Sequence, residues 1–305
     1  MAKSHLYQHY SKLKKLLKKS FYADFAPDNV YQCHIVAAYS KCFQFNFTVN
    51  NYNPKTSFFY TPSLRGICED FIMLKFLKSH SALDKDKLLY SYSIYQLTEI
   101  VSVQKQFFKK NHKQQIVYEM NNLKKVQEEH LNTVKAEWSK IGLKKDKILP
   151  SVSHMATDAA LVELYEYLYS ATSDMVHFSP HNLLRSGWSK KENPHHHLFN
   201  VQNFHKYYNL FNHFYGSYLF VLFSKAFKKE LGIEKITMNI IKEIEEDIFG
   251  NARWPELVTF EEMNVPSAET IRLINTIRKL KLKADEFNIP DEQFQNDLKE
   301  FLKKV

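Results

Sequence analysis

Glycine and proline are scarce in this 305-residue chain: 6 Gly and 9 Pro stand against 24 Phe and 18 Tyr. So few turn-formers exclude a series of short hairpin-linked strands and predict long helices packed by large aromatic side chains. Cysteine is scarcer still. Cys33, Cys42 and Cys68 cannot all pair within one chain, and none has the C-x-x-C spacing of a metal ligand. They read as small core residues in a reducing compartment, and neither a structural metal nor a cofactor is expected. Also absent is any uninterrupted run of about eighteen apolar residues, so no transmembrane segment is expected. The N-terminal MAKSHLYQHYSKLKKLLKKSF lacks the continuous apolar stretch of a signal peptide. These absences together predict a cytoplasmic, all-α protein.

Acidic residues are outnumbered, 33 Asp and Glu against 42 Lys and Arg, and the formal charge of +9 predicts affinity for an anionic partner such as nucleic acid or lipid. Part of the excess sits in residues 1–25. There Lys12, Lys14, Lys15, Lys18 and Lys19 surround the apolar positions Leu6, Tyr10, Leu13 and Leu17 of an amphipathic helix. Such a helix either lies on a membrane or docks by its apolar face and leaves the lysines in water.

Asp28 is placed to cap a helix over about 29–49, and Thr61-Pro62 supplies a cap and a first-turn proline for the next. That next helix, SLRGICEDFIMLKFLKSH, is apolar on nearly every face and embeds two charges, Arg65 and Glu69. Four residues apart, they stack on one side. Inside a core such a pair costs several kcal/mol in desolvation unless its donors and acceptors are engaged, so it either locks neighbouring helices or furnishes a site. Residues 86–110 and 113–141 then read as a long, charge-rich antiparallel helical pair with one wet face.

The stretch Leu161–Arg185, LVELYEYLYSATSDMVHFSPHNLLR, carries polar groups at helical spacing inside an apolar run. Ser170, Ser173, Asp174 and His177 recur at steps of three and four, which puts them on one stripe until Pro180 ends or kinks the helix. His177 and His181 have the spacing of a ligand pair, but Pro180 disturbs the helix between them. The loop expected over 186–197, SGWSKKENPHHH, holds adjacent histidines that seldom converge on one ion. An aromatic helix over 198–227 carries the polar residues His205, Tyr208, Asn209, Asn212 and His213, read as buried hydrogen bonding. Residues 26–230 form the expected main helical domain and 231–305 a C-terminal helical extension.

Taken together, YTPSLRGICEDFIMLKFL and LYEYLYSATSDMVHFSPHNLL resemble the paired signatures of a bacterial helical family of unknown function. In that family an R-x-x-x-E helix precedes a Y-x-x-x-S-x-x-x-H helix. Arg65 and Glu69 match the first, and Tyr169, Ser173 and His177 the second. The group is similar in turn to the wider HEPN class, many of whose members are RNA-cleaving toxins or effectors of anti-phage and toxin–antitoxin systems. The resemblance implies a HEPN-like bundle, a homodimer, and an RNA or nucleotide ligand. His177 and Arg65 would be catalytic with Ser173 and Asp174, supported by Glu69, Tyr169, Arg185 and His181. One departure stands out: where the HEPN motif has arginine, this chain has Thr172 or its neighbours. Metal-independent RNA cleavage needs a proton-transfer group, which histidine suits, and a fixed cation, which arginine suits. The cation must therefore come in space from Arg65 or Arg185. The alternative is a non-enzymatic regulator or adaptor that binds a protein partner or nucleotide, with the Arg–Glu and Ser–His pairs serving as helix locks.

Overall fold

Local start signals set the helices, although not all of them act as expected. In a computed structural model the chain is described over residues 6–112, 122–143, 148–177, 179–190, 193–250, 254–257, 277, 280–281 and 289–302. Helix α1 spans Tyr7–Leu16 and α2 spans Val30–Val49. Asn29, not Asp28, occupies the cap position of α2, and its side chain donates to the Asp24 carbonyl instead of capping. A short α3, Ser57–Tyr60, runs almost directly into α4, Ser63–Ser79. Thr61 therefore does not cap α4: its hydroxyl donates back to the Ser57 carbonyl, and Pro62 takes the cap position.

Of the expected charged pair, α5, Lys85–Lys110, and α6, Leu123–Ser139, pack side by side, while residues 113–121 of the second expected helix lie outside the described residues. Asp84 caps α5 by accepting from the Lys87 N–H. After α7, Val152–Asp158, come α8, Val162–Val176, and α9, Pro180–Arg185. Ser151 caps α7. The stretch expected as an open loop instead forms an antiparallel hairpin, β1 Gly187–Lys190 with β2 Asn193–Phe199, Gly187 facing Phe199 and Trp188 facing Leu198. The aromatic helix α10, His205–Ala226, and α11, Lys235–Phe249, follow. Separately, α12 covers Asp291–Leu302.

The core is built on α10, which packs against α2, α4 and α11. Phe220 and Phe223 of α10 meet Tyr39 of α2, with Tyr39 and Phe220 stacked at 5.4 Å between ring centroids. Phe71 of α4 closes the cluster against Phe223 at 5.3 Å. Two hydrogen bonds cross this core: the Tyr10 hydroxyl donates to Ser217, and Asn46 donates to the Gly216 carbonyl at 2.9 Å. The expectation of buried hydrogen bonding along α10 is met at Asn212, which donates to the Ser57 carbonyl.

The apolar face of α1 is spent on this core, since Leu6, Tyr10, Leu13 and Leu17 are all buried while its lysines stay exposed. Of the two readings of that helix, docking is the one observed. No helix among the described residues is long and apolar enough to cross a membrane. By its internal contacts the chain divides into Met1–Pro255 and Glu256–Val305. Helix α11 lies in the first of these units. Its buried Ile241, Ile244 and Ile248 give the reason.

Candidate functional site

Helices α4 and α8 bring the two signatures together. At the C-terminal end of α4, Phe76 meets His154, and His80 pairs with Asp158 at 3.2 Å, both partners lying on α7. Nearer its N-terminal end, Arg65 lies over the Tyr169 ring of α8, 4.4 Å from the guanidinium carbon to the centroid. From the His80–Asp158 pair to the Arg65–Tyr169 contact the chain goes forwards out of α7 into α8 while α4 is read backwards, so α8 runs antiparallel to α4. Ser173 and His177 are therefore carried toward and past the start of α4.

Arg65 is held from two sides. Its Nε–H donates to Glu69 Oε1 at 2.8 Å, one helical turn along, while its planar group rests on Tyr169. The carboxylate raises the guanidinium pKa, chiefly through that hydrogen bond, and fixes the charge. Only the Nε–H is used in this way. Among the described residues no side chain or carbonyl accepts from the two Nη groups, so the donor fork remains open. The pair is partly buried, 27% and 30% exposed, which leaves room for an incoming anion. A pair locked on all sides would not.

Tyr165, one turn before Tyr169, completes the cluster. Burial raises the pKa of its phenol, and Glu69 adds to the rise. Its ring lies 5.7 Å from that of Tyr169. Sequence reasoning missed Tyr165, although its four-residue spacing from Tyr169 was a usable signal. Cys68 faces the same region, its thiol pushed up to about 12 by burial and then by Glu69.

Farther along α8 the expected partners are less closely tied. Thr172, one of the residues at the position where the resemblance would call for arginine, is fully buried and donates to the Leu168 carbonyl, so it is a helix-packing residue. Ser173 is half-buried, and Asp174 and His177 are exposed. His177 ends the helix in an extended conformation, with its backbone N–H bonded to the Ser173 carbonyl. No side-chain hydrogen bond joins Ser173 or Asp174 to His177 among the described residues. Asp174 instead contributes its backbone carbonyl, which accepts from Asn182 of α9. Helical rise puts the Ser173 backbone about 6 Å and the His177 backbone about 12 Å beyond Tyr169. The side chains of His181 and Arg185, and those of His195, His196 and His197, lie outside the described residues.

Residues 61–195 match a family of unknown function, DUF5677, a span that contains α4, α8 and the helical pair between them. The chain is similar to that family across both signatures. No curated protein and no solved structure matches it.

Proposed function

We propose that the chain is a HEPN-like cytoplasmic effector of the phage-defence or toxin–antitoxin type, acting on RNA by metal-independent cleavage. The observation that carries this reading is the open donor fork of Arg65, fixed by Glu69 and Tyr169 on the face along which α8 leads to His177. A planar guanidinium with unused paired donors matches a phosphate oxygen edge. In the reaction a ribose 2′-oxygen attacks the adjacent phosphorus and the bond to the 5′-oxygen breaks, leaving a cyclic phosphate and a free 5′-hydroxyl. His177 takes the 2′-hydroxyl proton or returns one to the leaving oxygen. The offset along α8 exceeds a single phosphate, so Arg65 holds a phosphate flanking the one at His177, which leaves Arg185 as the candidate cation at the reacting phosphate. Incubating total RNA with the wild-type protein and with His177→Ala tests the claim: cleavage lost in the variant supports it, and equal background cleavage by both overturns it.

A second reading, a non-enzymatic adaptor or regulator, is favoured by one observation. Leu97, Ile100, Val103 and Phe107 form an exposed apolar row on α5. Rows of this kind are commonly covered by a partner protein. In that case His177→Ala leaves the protein's effect in cells intact, whereas Ile100→Glu with Phe107→Glu abolishes it.

A further inference from the structure

A second concentration of positive charge lies at the other end of α4. Lys78, in the last turn of α4, and Lys225, in the last turn of α10, meet Lys228, Lys229, Glu230 and Ile233 around an open groove of about 410 Å³. Four lysines thus line a concavity to which, among the described residues, Glu230 alone contributes a carboxylate. Counting also Glu245, which pairs with Lys225, the groove keeps two uncompensated positive charges among the described residues.

The lysines divide by role. Lys78 is committed: it donates to the Ala226 carbonyl at 2.6 Å, pairs with Glu230 at 2.7 Å, and lies over the Phe227 ring. It closes the exposed carbonyl end of α10, a task that suits a cation. Glu230 is held in turn. Burial alone would raise its carboxyl pKa, but Lys78, the backbone N–H and the charge of Lys229 outweigh that and lower it. Lys228 and Lys229 are exposed, and no hydrogen bond or ion pair ties either ammonium among the described residues. Like charges gathered at one concave place repel, and an anion with several oxygens relieves the repulsion. The volume falls in the range of small-ligand clefts. Lys78 lies 13 residues from Arg65, roughly 20 Å along the helix, so the groove is separate from the α4–α8 site.

We infer that this groove binds phosphate groups, with Lys228 and Lys229 as the gripping cations, Lys225 beside them, and the Lys78–Glu230 pair as the fixed wall. The phosphates come either from a strand of RNA or from a free nucleotide, and two probes separate these sources. The inference does not depend on cleavage at His177.

Binding of a fluorescein-labelled ten-nucleotide oligouridylate is measured by anisotropy on the full chain across a salt series, and magnesium-free ATP is tested by thermal shift. The variants are Lys228→Glu with Lys229→Glu, the milder Lys228→Gln with Lys229→Gln, and Lys12→Glu with Lys15→Glu as a control of equal charge change on exposed α1 positions. The expected result is at least a tenfold loss for the 228/229 glutamate pair and a smaller loss in the same direction for the glutamine pair. The α1 control changes less than threefold. For a single strand, removing two phosphate contacts flattens the salt slope by roughly 1.4. Loss confined to the oligonucleotide assigns an RNA-backbone groove, and loss of the ATP shift a nucleotide site. Equal losses in the 228/229 and α1 variants mean that net charge alone acts, and overturn the inference. So does binding of neither probe, or binding unaltered in the 228/229 variants. Arg65→Ala serves as the cross-check: weakening there with an unaltered effect of the 228/229 change separates failure at one site from failure at the other.

Discussion

The guanidinium of Arg65 lies 4.4 Å from the centre of the Tyr169 ring, while its Nε–H is bonded to Glu69 at 2.8 Å. Two residues a hundred positions apart thus fix one cation without using its forked donors. Arg65→Lys retains the charge but loses the planar fork and much of the stacking. The expected outcome is a fall in RNA affinity of about tenfold, near 1.4 kcal/mol. Melting should change little, because a solvent-accessible i,i+4 pair of this type contributes about 1 kcal/mol or less. Anisotropy titrations and thermal melts on the same preparations check both parts.

His177 stands exposed at the end of α8, without a side-chain hydrogen bond among the described residues. The lock reading requires a buried polar partner whose loss costs about 1–3 kcal/mol. An exposed residue outside such a network contributes within about 0.5 kcal/mol. His177→Ala is therefore expected to melt within about 2 °C of the wild type. RNA cleavage measured on the same variant should be lost. A large drop in melting temperature would return His177 to a structural role.

How much of this could be read beforehand differs between fold and site. Helix-rich composition and the spacing of Arg65 with Glu69 and of Tyr169 with Ser173 and His177 were local signals, and the helices bearing them are present. The packing of Arg65 on Tyr169 was not legible, because antiparallel pairing of α4 and α8 depends on α7 turning the chain back. Capping was misread at Asp28 and Thr61, where neighbouring residues compete for the same backbone groups. The hairpin over 187–199 was hidden by a polar composition that resembles a loop. No periodicity could have shown that Lys78, Lys228 and Lys229 meet, since their convergence comes from the end of one helix abutting the end of another.

Gly216 lets α10 lie close against α2. A Cβ built there would lie 2.6 Å from Phe45 Cε1 and 2.8 Å from Asn46 Oδ1. Phe45 and Asn46 are both buried, so neither ring nor amide can swing into solvent. Gly216→Ala is expected to destabilise by about 1–3 kcal/mol through overpacking, although alanine is the better helix former. Chemical denaturation measures the midpoint shift. An unchanged or raised midpoint would mean that the helices separate easily here.

The three cysteines differ in access. Cys42 and Cys68 are buried, and burial raises both thiols, so little thiolate forms on either. Cys33 is half-exposed, with its Sγ donating weakly to the Asp24 carbonyl. Brief treatment with iodoacetamide at pH 8 is expected to label Cys33 alone, with Cys42 and Cys68 reacting only after denaturation. Peptide mass spectrometry reads the sites. Early labelling of Cys68 would reveal opening of the α4–α8 contact.

The Lys78–Glu230 pair gives stability a definite pH dependence. Burial would raise the Glu230 carboxyl pKa, yet Lys78, the backbone N–H and Lys229 bring it below the ordinary 4.5. A carboxyl with a depressed folded pKa binds fewer protons folded than unfolded, so its contribution is fully present above the unfolded value. It falls away as pH drops through the folded value, because both states are then protonated. Lys78 is partly solvated, which limits the effect to roughly 0.5–1 kcal/mol. Glu230→Gln is expected to melt about 1–4 °C below the wild type at pH 7. The gap should hold to about pH 5 and close progressively below pH 4. Melting curves of both proteins from pH 7 to pH 3 test this, and a gap that widens toward acid would show that Lys78 does not govern the carboxylate.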